Sequence, residues 1–222
     1  MALEIWWISG SPYAWWVMLA AEVKGLAYES HLLSVSNREN YTPEYLAMNR
    51  RGRVPLLKDG DFILTESMAM VAYLDTKSTT SPLFGGSPRE TARIWEAASQ
   101  VVSDVGRASS AFNDPILSTR GKPLDADSVR EAAATLKTEL GFFEERLAAG
   151  RYFCGPTLSA ADIALLPFLL FSARVAGRDA VKDMNLGLLP LVETFPKLAA
   201  WVKRIEALPG YEKTYPPHWR TS

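Results

Sequence analysis

The sequence, 222 residues long, predicts an α/β plus all-α protein: a small α/β domain followed by a larger helical one. Three observations carry that expectation. Strand and helix signals alternate from Leu3 to Asp75. A Ser/Thr/Pro-rich stretch, Lys77 to Ser87, then interrupts them. Beyond it, every periodic segment has helical spacing. The boundaries read as 1–78 for the first domain, 79–87 for a linker and 88–222 for the helical domain. A chain of this length buries roughly 70% of its unfolded surface, so the fold needs no covalent staple.

Leu3 to Ile8 is a short apolar run ended by Ser9-Gly10-Ser11-Pro12, as expected of a buried strand. Pro12 suits the first turn of a helix, along which Trp15, Met18 and Leu19 share a face until Gly25 ends it. Tyr28 to Val35 reads as a second strand, and Thr42-Pro43-Glu44 starts a short helix. Val54 to Leu57 and Phe62 to Leu64, joined through Asp59-Gly60, form a hairpin. Thr65 or Glu66 opens the next helix, which runs to about Asp75. In the second domain Ser87-Pro88-Arg89-Glu90 is a capping box. Stripes at Ile94, Ala98, Val101 and Val105, at Leu136, Leu140, Phe143 and Leu147, and at Leu198, Trp201, Val202, Ile205 and Leu208 mark helices. The almost wholly apolar Ile163 to Leu170 predicts a helix buried on every side.

Composition narrows the function. With 24 Lys plus Arg against 25 Asp plus Glu, the net charge of −1 gives no field to hold a polyanion, so nucleic acid is not an expected partner. The single cysteine, Cys154, excludes an internal disulfide, and two distant histidines, His31 and His218, match no metal spacing, so no metal is expected. Glu4 stands where a leader would carry basic residues, and the longest apolar run is too short for a bilayer. A cytoplasmic protein without membrane association is the expectation.

Three separated motifs resemble the cytosolic glutathione transferase family, over roughly residues 3–214. The first is Ser11-Pro12-Tyr13 with Lys24-Gly25 closing the helix. The second is Asn49-Arg50-Arg51-Gly52-Arg53-Val54-Pro55-Leu56-Leu57, followed by Glu66-Ser67 and Tyr73-Leu74. The third is Leu158-Ser159-Ala160-Ala161-Asp162-Ile163, then Phe195-Pro196-Lys197-Leu198-Ala199-Ala200-Trp201. The resemblance implies a thioredoxin-like first domain, a helical second domain and a homodimer. Its activity would be serine-type transfer of glutathione, the co-substrate, to a small hydrophobic electrophile lodged between the domains. The same fold also hosts glutathione-dependent isomerases, dehalogenases and ether-cleaving lyases, and non-catalytic binding modules.

The residues give that chemistry physical content. A free thiol near pKa ~8.5 is only about 3% thiolate at pH 7. Lowering it by about two units takes about 2.7 kcal/mol of preferential stabilisation. A hydroxyl donating to sulfur at a helix N-terminus supplies a hydrogen bond and a favourable dipole, and Ser11 holds that place. Spacing alone also allows Ser11 to be simply a helix cap, and leaves Ser9 as a rival. Serine-type members often carry a basic residue shortly after the aromatic; here Trp15-Trp16 stand there. The resemblance assigns the Val54 main chain to the cysteinyl unit, which a cis Val54-Pro55 bond would turn outward. It assigns Ser67 to the γ-glutamyl carboxylate at a helix N-terminus, and Glu66 to the ammonium. Arg53, from the cluster Arg38, Arg50, Arg51 and Arg53, is the choice for the glycyl carboxylate. Tyr13 and Trp15 are the candidates for an aromatic wall against the electrophile. Asp162 reads as a folding residue within a capping box rather than as a catalytic acid.

Overall fold

The computed structural model describes residues 3–119 and 123–220. Met1 and Ala2, part of the segment read against a leader, lie outside them. The chain divides into two compact units, one of residues 1–84 with 206–222 and the other of residues 85–205.

The first unit is built on four strands, β1 (Leu3–Trp7), β2 (Tyr28–Leu32), β3 (Leu56–Asp59) and β4 (Phe62–Leu64), in the order β2-β1-β3-β4. β1 and β2 run parallel, while β3 is antiparallel to both β1 and β4. Three helices join them: α1 (Pro12–Val23), α2 (Pro43–Met48) and α3 (Ser67–Thr76). This is the thioredoxin-like arrangement, and the parallel pair is connected by α1, as a parallel crossover requires. The hairpin is tighter than the sequence suggests. Val54 and Pro55 precede β3 rather than opening it, and the peptide bond between them is cis. Proline lacks the N–H that a ladder position needs, so the strand starts after it.

Helix α1 departs from the amphipathic reading. Every residue from Ala14 to Ala21 is buried. The reason is that α3 packs against α1 and so does a late helix, α10 (Tyr211–Thr214). Trp15 donates from Nε1 to Thr214 Oγ1 at 2.9 Å, and its ring meets Tyr215 and Trp219 edge-on. The last residues therefore belong to the first unit, not to the helical domain in which 88–222 was placed.

The linker is also shorter than its composition implies. The Lys24 side chain is wholly buried, and its ammonium meets Asp75 at 2.8 Å and the carbonyls of Thr80 and Ser81. Asp75 also accepts from the Leu83 and Phe84 amides. An uncompensated buried charge costs several kcal/mol, so this network fastens residues 77–84 to the first unit.

The second unit is helical throughout. It contains α4 (Pro88–Gln100), α5 (Gly106–Leu117), α6 (Ala126–Arg146), α7 (Ala160–Ala176), α8 (Leu191–Thr194) and most of α9 (Pro196–Glu206). The three predicted stripes are buried except at Leu208, which is half-buried. One π-helical segment, Val101–Val105, joins α4 to α5, a feature the helical spacing does not announce. In α7 the residues from Ala160 to Leu169 are all buried. Its start is held by Ser159 and Asp162 as a capping box.

Candidate functional site

Sheet topology decides which segments meet. Trp6 of β1 lies opposite Leu56 of β3, and Leu57 opposite Leu64 of β4. The end of β1, the start of β3 and the end of β4 thus share one end of the sheet. The segments attached there are Ile8-Ser9-Gly10-Ser11, Val54-Pro55 and Thr65-Glu66-Ser67. Ser11 and Ser67, 56 positions apart in sequence, are gathered by strand order alone.

Ser11 is the N-cap of α1. Its Oγ accepts from the Ala14 amide at a long 3.4 Å, and its own N–H donates to the Ile8 carbonyl at 3.1 Å. A hydroxyl that accepts from an amide keeps its own proton to donate, so capping and holding a sulfur anion are compatible. The cap reading and the thiolate reading therefore do not compete. Ser9 is differently engaged: its Oγ lies 2.6 Å from His218 Nδ1.

The segment before β3 is held by side chains that the sequence did not single out. Tyr45 and Asn49 both donate to the Arg53 carbonyl, at 2.7 and 2.8 Å. Asn40 donates to the Gly52 carbonyl at 2.6 Å. Burial pushes the Tyr45 phenol up to about 12, which keeps it protonated as a donor. Gly52 has φ of 59°, and a Cβ there would lie 2.6 Å from the Tyr41 ring. Asn49 does stand inside the quoted motif, so part of this brace was visible as a pattern though not as a role.

Ser67 is the first residue of α3, where amides lack intrahelical partners and favour an anion. Glu66, the N-cap, is exposed and its carboxylate meets the Arg51 guanidinium at 2.7 Å. Arg51, another member of the basic cluster, is thus paired with Glu66 at the surface. The Arg53 side chain is exposed, and Val54 is half-buried.

The two aromatic candidates part company. Tyr13 is half-buried, with its ring edge-on to Trp16. Trp15 is 2% exposed, enclosed by Tyr211, Tyr215 and Trp219. It has no ring surface to offer a ligand and is a core residue, a correction that follows from α1 being covered by the late residues. Glu4, Glu29 and His31 bring ligand-type atoms within 4.8 Å of one another, a grouping the spacing did not foretell. Lys58 already sits 3.0 Å from Glu4, holding that carboxyl below its usual pKa, and His31 stacks on Trp6. The group is accounted for as an ion-pair patch on the sheet.

Comparison with known proteins agrees with this architecture. Residues 1–76 match the family described as glutathione S-transferase, N-terminal domain, and residues 126–204 match its C-terminal domain. Glutathione S-transferase A of Pleuronectes platessa is 29% identical over 99% of this chain and 94% of its own. Glutathione S-transferase 4 of Zea mays is 30% identical over 96% of this chain and 91% of its own. The crystal structure of a glutathione S-transferase from the Antarctic clam Laternula elliptica superposes with a TM-score of 0.82 at 25% identity, covering 100% of this chain and 95% of that one. The chain belongs to the glutathione S-transferase family. It is a glutathione transferase, an enzyme whose family binds glutathione and electrophiles. No helix among the described residues is long and apolar enough to cross a membrane.

Proposed function

We propose that glutathione lies along the end of the sheet where the three segments converge, with its sulfur at Ser11. The Ser11 hydroxyl donates to the thiolate, and the N-terminus of α1 adds its positive dipole end. The Val54 main chain pairs with the cysteinyl unit as one more short strand. Ser67 takes the γ-glutamyl carboxylate at the start of α3, and Arg53 the glycyl carboxylate. Glu66 takes the γ-glutamyl ammonium, sharing its carboxylate with Arg51. The acceptor is a small hydrophobic electrophile, and Tyr13 is the aromatic side chain proposed beside it. A homodimer and a cytoplasmic location belong to the same reading, on the habit of the family.

One observation carries it: strand order brings the Ser11 turn, Val54-Pro55 and Glu66-Ser67 to the same end of one sheet. The thiolate then attacks an electrophilic carbon with both partners held in place, so positioning and a lowered thiol pKa make up the catalysis. Ser11→Ala is expected to lower kcat/KM for glutathione with chlorodinitrobenzene about 100-fold, the equivalent of about 2.7 kcal/mol. It should also abolish the ultraviolet thiolate band of the bound peptide. An unchanged rate and band would remove Ser11 from the site, and Ser9→Ala assayed beside it tests the rival hydroxyl.

A further inference from the structure

One titratable side chain that the thiolate chemistry has not yet used stands at the reactive turn. Residues Ile8 to Ser11 form a tight turn, closed by the Ser11 amide on the Ile8 carbonyl at 3.1 Å. Gly10, its third residue, has φ of 84°, as a type II turn requires. Ser9 and Ser11 thus share one turn. His218 reaches it on the final segment, in which Thr214, Tyr215 and Trp219 are seated against Trp15 of α1. The imidazole lies over Gly10: a Cβ built there would stand 2.9 Å from Cε1 and 3.5 Å from Nε2. Nδ1 lies 2.6 Å from Ser9 Oγ.

The charges around the ring suit a group that gains a proton. It borders a cleft of about 450 Å³ in the first unit, with Ser34 and Glu39 among the walls. The Glu39 carboxylate accepts from the Ser34 amide at 2.8 Å and is the negative group on that side. On the ring's own segment Arg220 pairs with Glu212 at 3.2 Å and Lys213 with Glu22 at 3.1 Å, so each cation there is matched by a carboxylate. The turn itself and the first turn of α1 carry no charged side chain. A carboxylate nearby favours the protonated form of an imidazole.

We infer that His218 accepts the thiol proton of glutathione, with Ser9 fixing its tautomer. This role rests on the proposed thiolate at Ser11. Nδ1–H donates to Ser9 Oγ in both charge states, which leaves Nε2 as the nitrogen that gains and loses the proton. When glutathione binds, the S–H bond breaks, its electron pair stays on sulfur, and the proton forms an N–H bond at Nε2. Ser11 donates its hydroxyl proton in a hydrogen bond to the sulfur. The imidazolium adds a full positive charge where the α1 dipole offers about half of one. After the thiolate has displaced a leaving group such as halide, the ring gives its proton to solvent and returns to the neutral form.

Two readouts test the role. One is the ultraviolet thiolate band of bound glutathione followed against pH. The other is calorimetry of glutathione binding at pH ~7 in phosphate and in Tris, which counts the protons released. The unaltered protein is expected to keep the band to a pH about one unit lower than His218→Gln does, because the imidazolium favours the anion. It should also release less than about half as many protons per thiolate formed as His218→Gln, a difference that a merely structural role would not produce. Ser9→Ala keeps the ring but frees its tautomer; it should move both readouts part of the way, and serves if the glutamine variant does not fold. A band midpoint that stays in place, or an equal proton count, overturns the role. Ser11→Ala separates the two claims. If it abolishes the band while His218→Gln moves neither readout, the histidine fails and the Ser11 site stands. If it leaves the band intact while His218→Gln moves both, the Ser11 assignment fails and the histidine stands. A band absent from the unaltered protein at every pH overturns both.

Discussion

Asp162 is fully buried, and four donors converge on its carboxylate. They are the Phe153 amide, the Ser159 amide and hydroxyl, and the Trp201 indole at 2.9 Å. Burial pushes its pKa up while the hydrogen bonds draw it down, and burial prevails. No room is left for substrate, so the acid is a binding post for the second unit. Asp162→Ala strands those donors and is expected to cost about 3–5 kcal/mol, read as a lower urea midpoint. This role was legible from the Ser-x-x-Asp spacing. Trp15 was not legible in the same way, because aromatic character names both a ligand wall and a core, and only the covering residues distinguish them.

Among elements, the segment from Asn49 to Pro55 shows how a loop can be made rigid without regular structure. Side chains from Asn40, Tyr45 and Asn49 occupy the Gly52 and Arg53 carbonyls, leaving the next residue, Val54, at a fixed height beside β3. Gly52 is where that packing is tightest. Gly52→Ala should cost about 1–2 kcal/mol for the left-handed conformation and raise KM for glutathione several-fold, with little change in kcat. Steady-state kinetics at varied glutathione together with thermal melting check both parts. The glycine was visible in the motif; the Tyr41 ring against it was not, since side-chain contacts across a turn leave no periodic trace.

At the scale of the whole molecule, local signals sufficed for element order. Proline at helix starts, the Asp-Gly turn and the period of the apolar stripes all correspond to observed features. What escaped is long-range. Nothing local in Tyr215-Pro216-Pro217-His218-Trp219 says that it returns to a helix two hundred residues earlier. Truncation after Leu208 removes Thr214, Tyr215 and Trp219 from around Trp15. It is expected to cost more than about 5 kcal/mol, enough to consume much of a typical domain's stability. Loss of near-ultraviolet circular dichroism and of a cooperative melt would register it; an intact melt would contradict this account of the core.

Because residues 85–205 are inserted within the first unit, a nascent chain meets an unusual schedule. All four strands leave the ribosome early, yet the indole of Trp15 stays uncovered until the final segment is translated. At about 5–20 residues per second that delay is roughly 8–30 seconds. During it the half-built unit presents an aromatic surface to any chaperone or sticky neighbour, and a ribosome stalled late in the message would leave it in that condition.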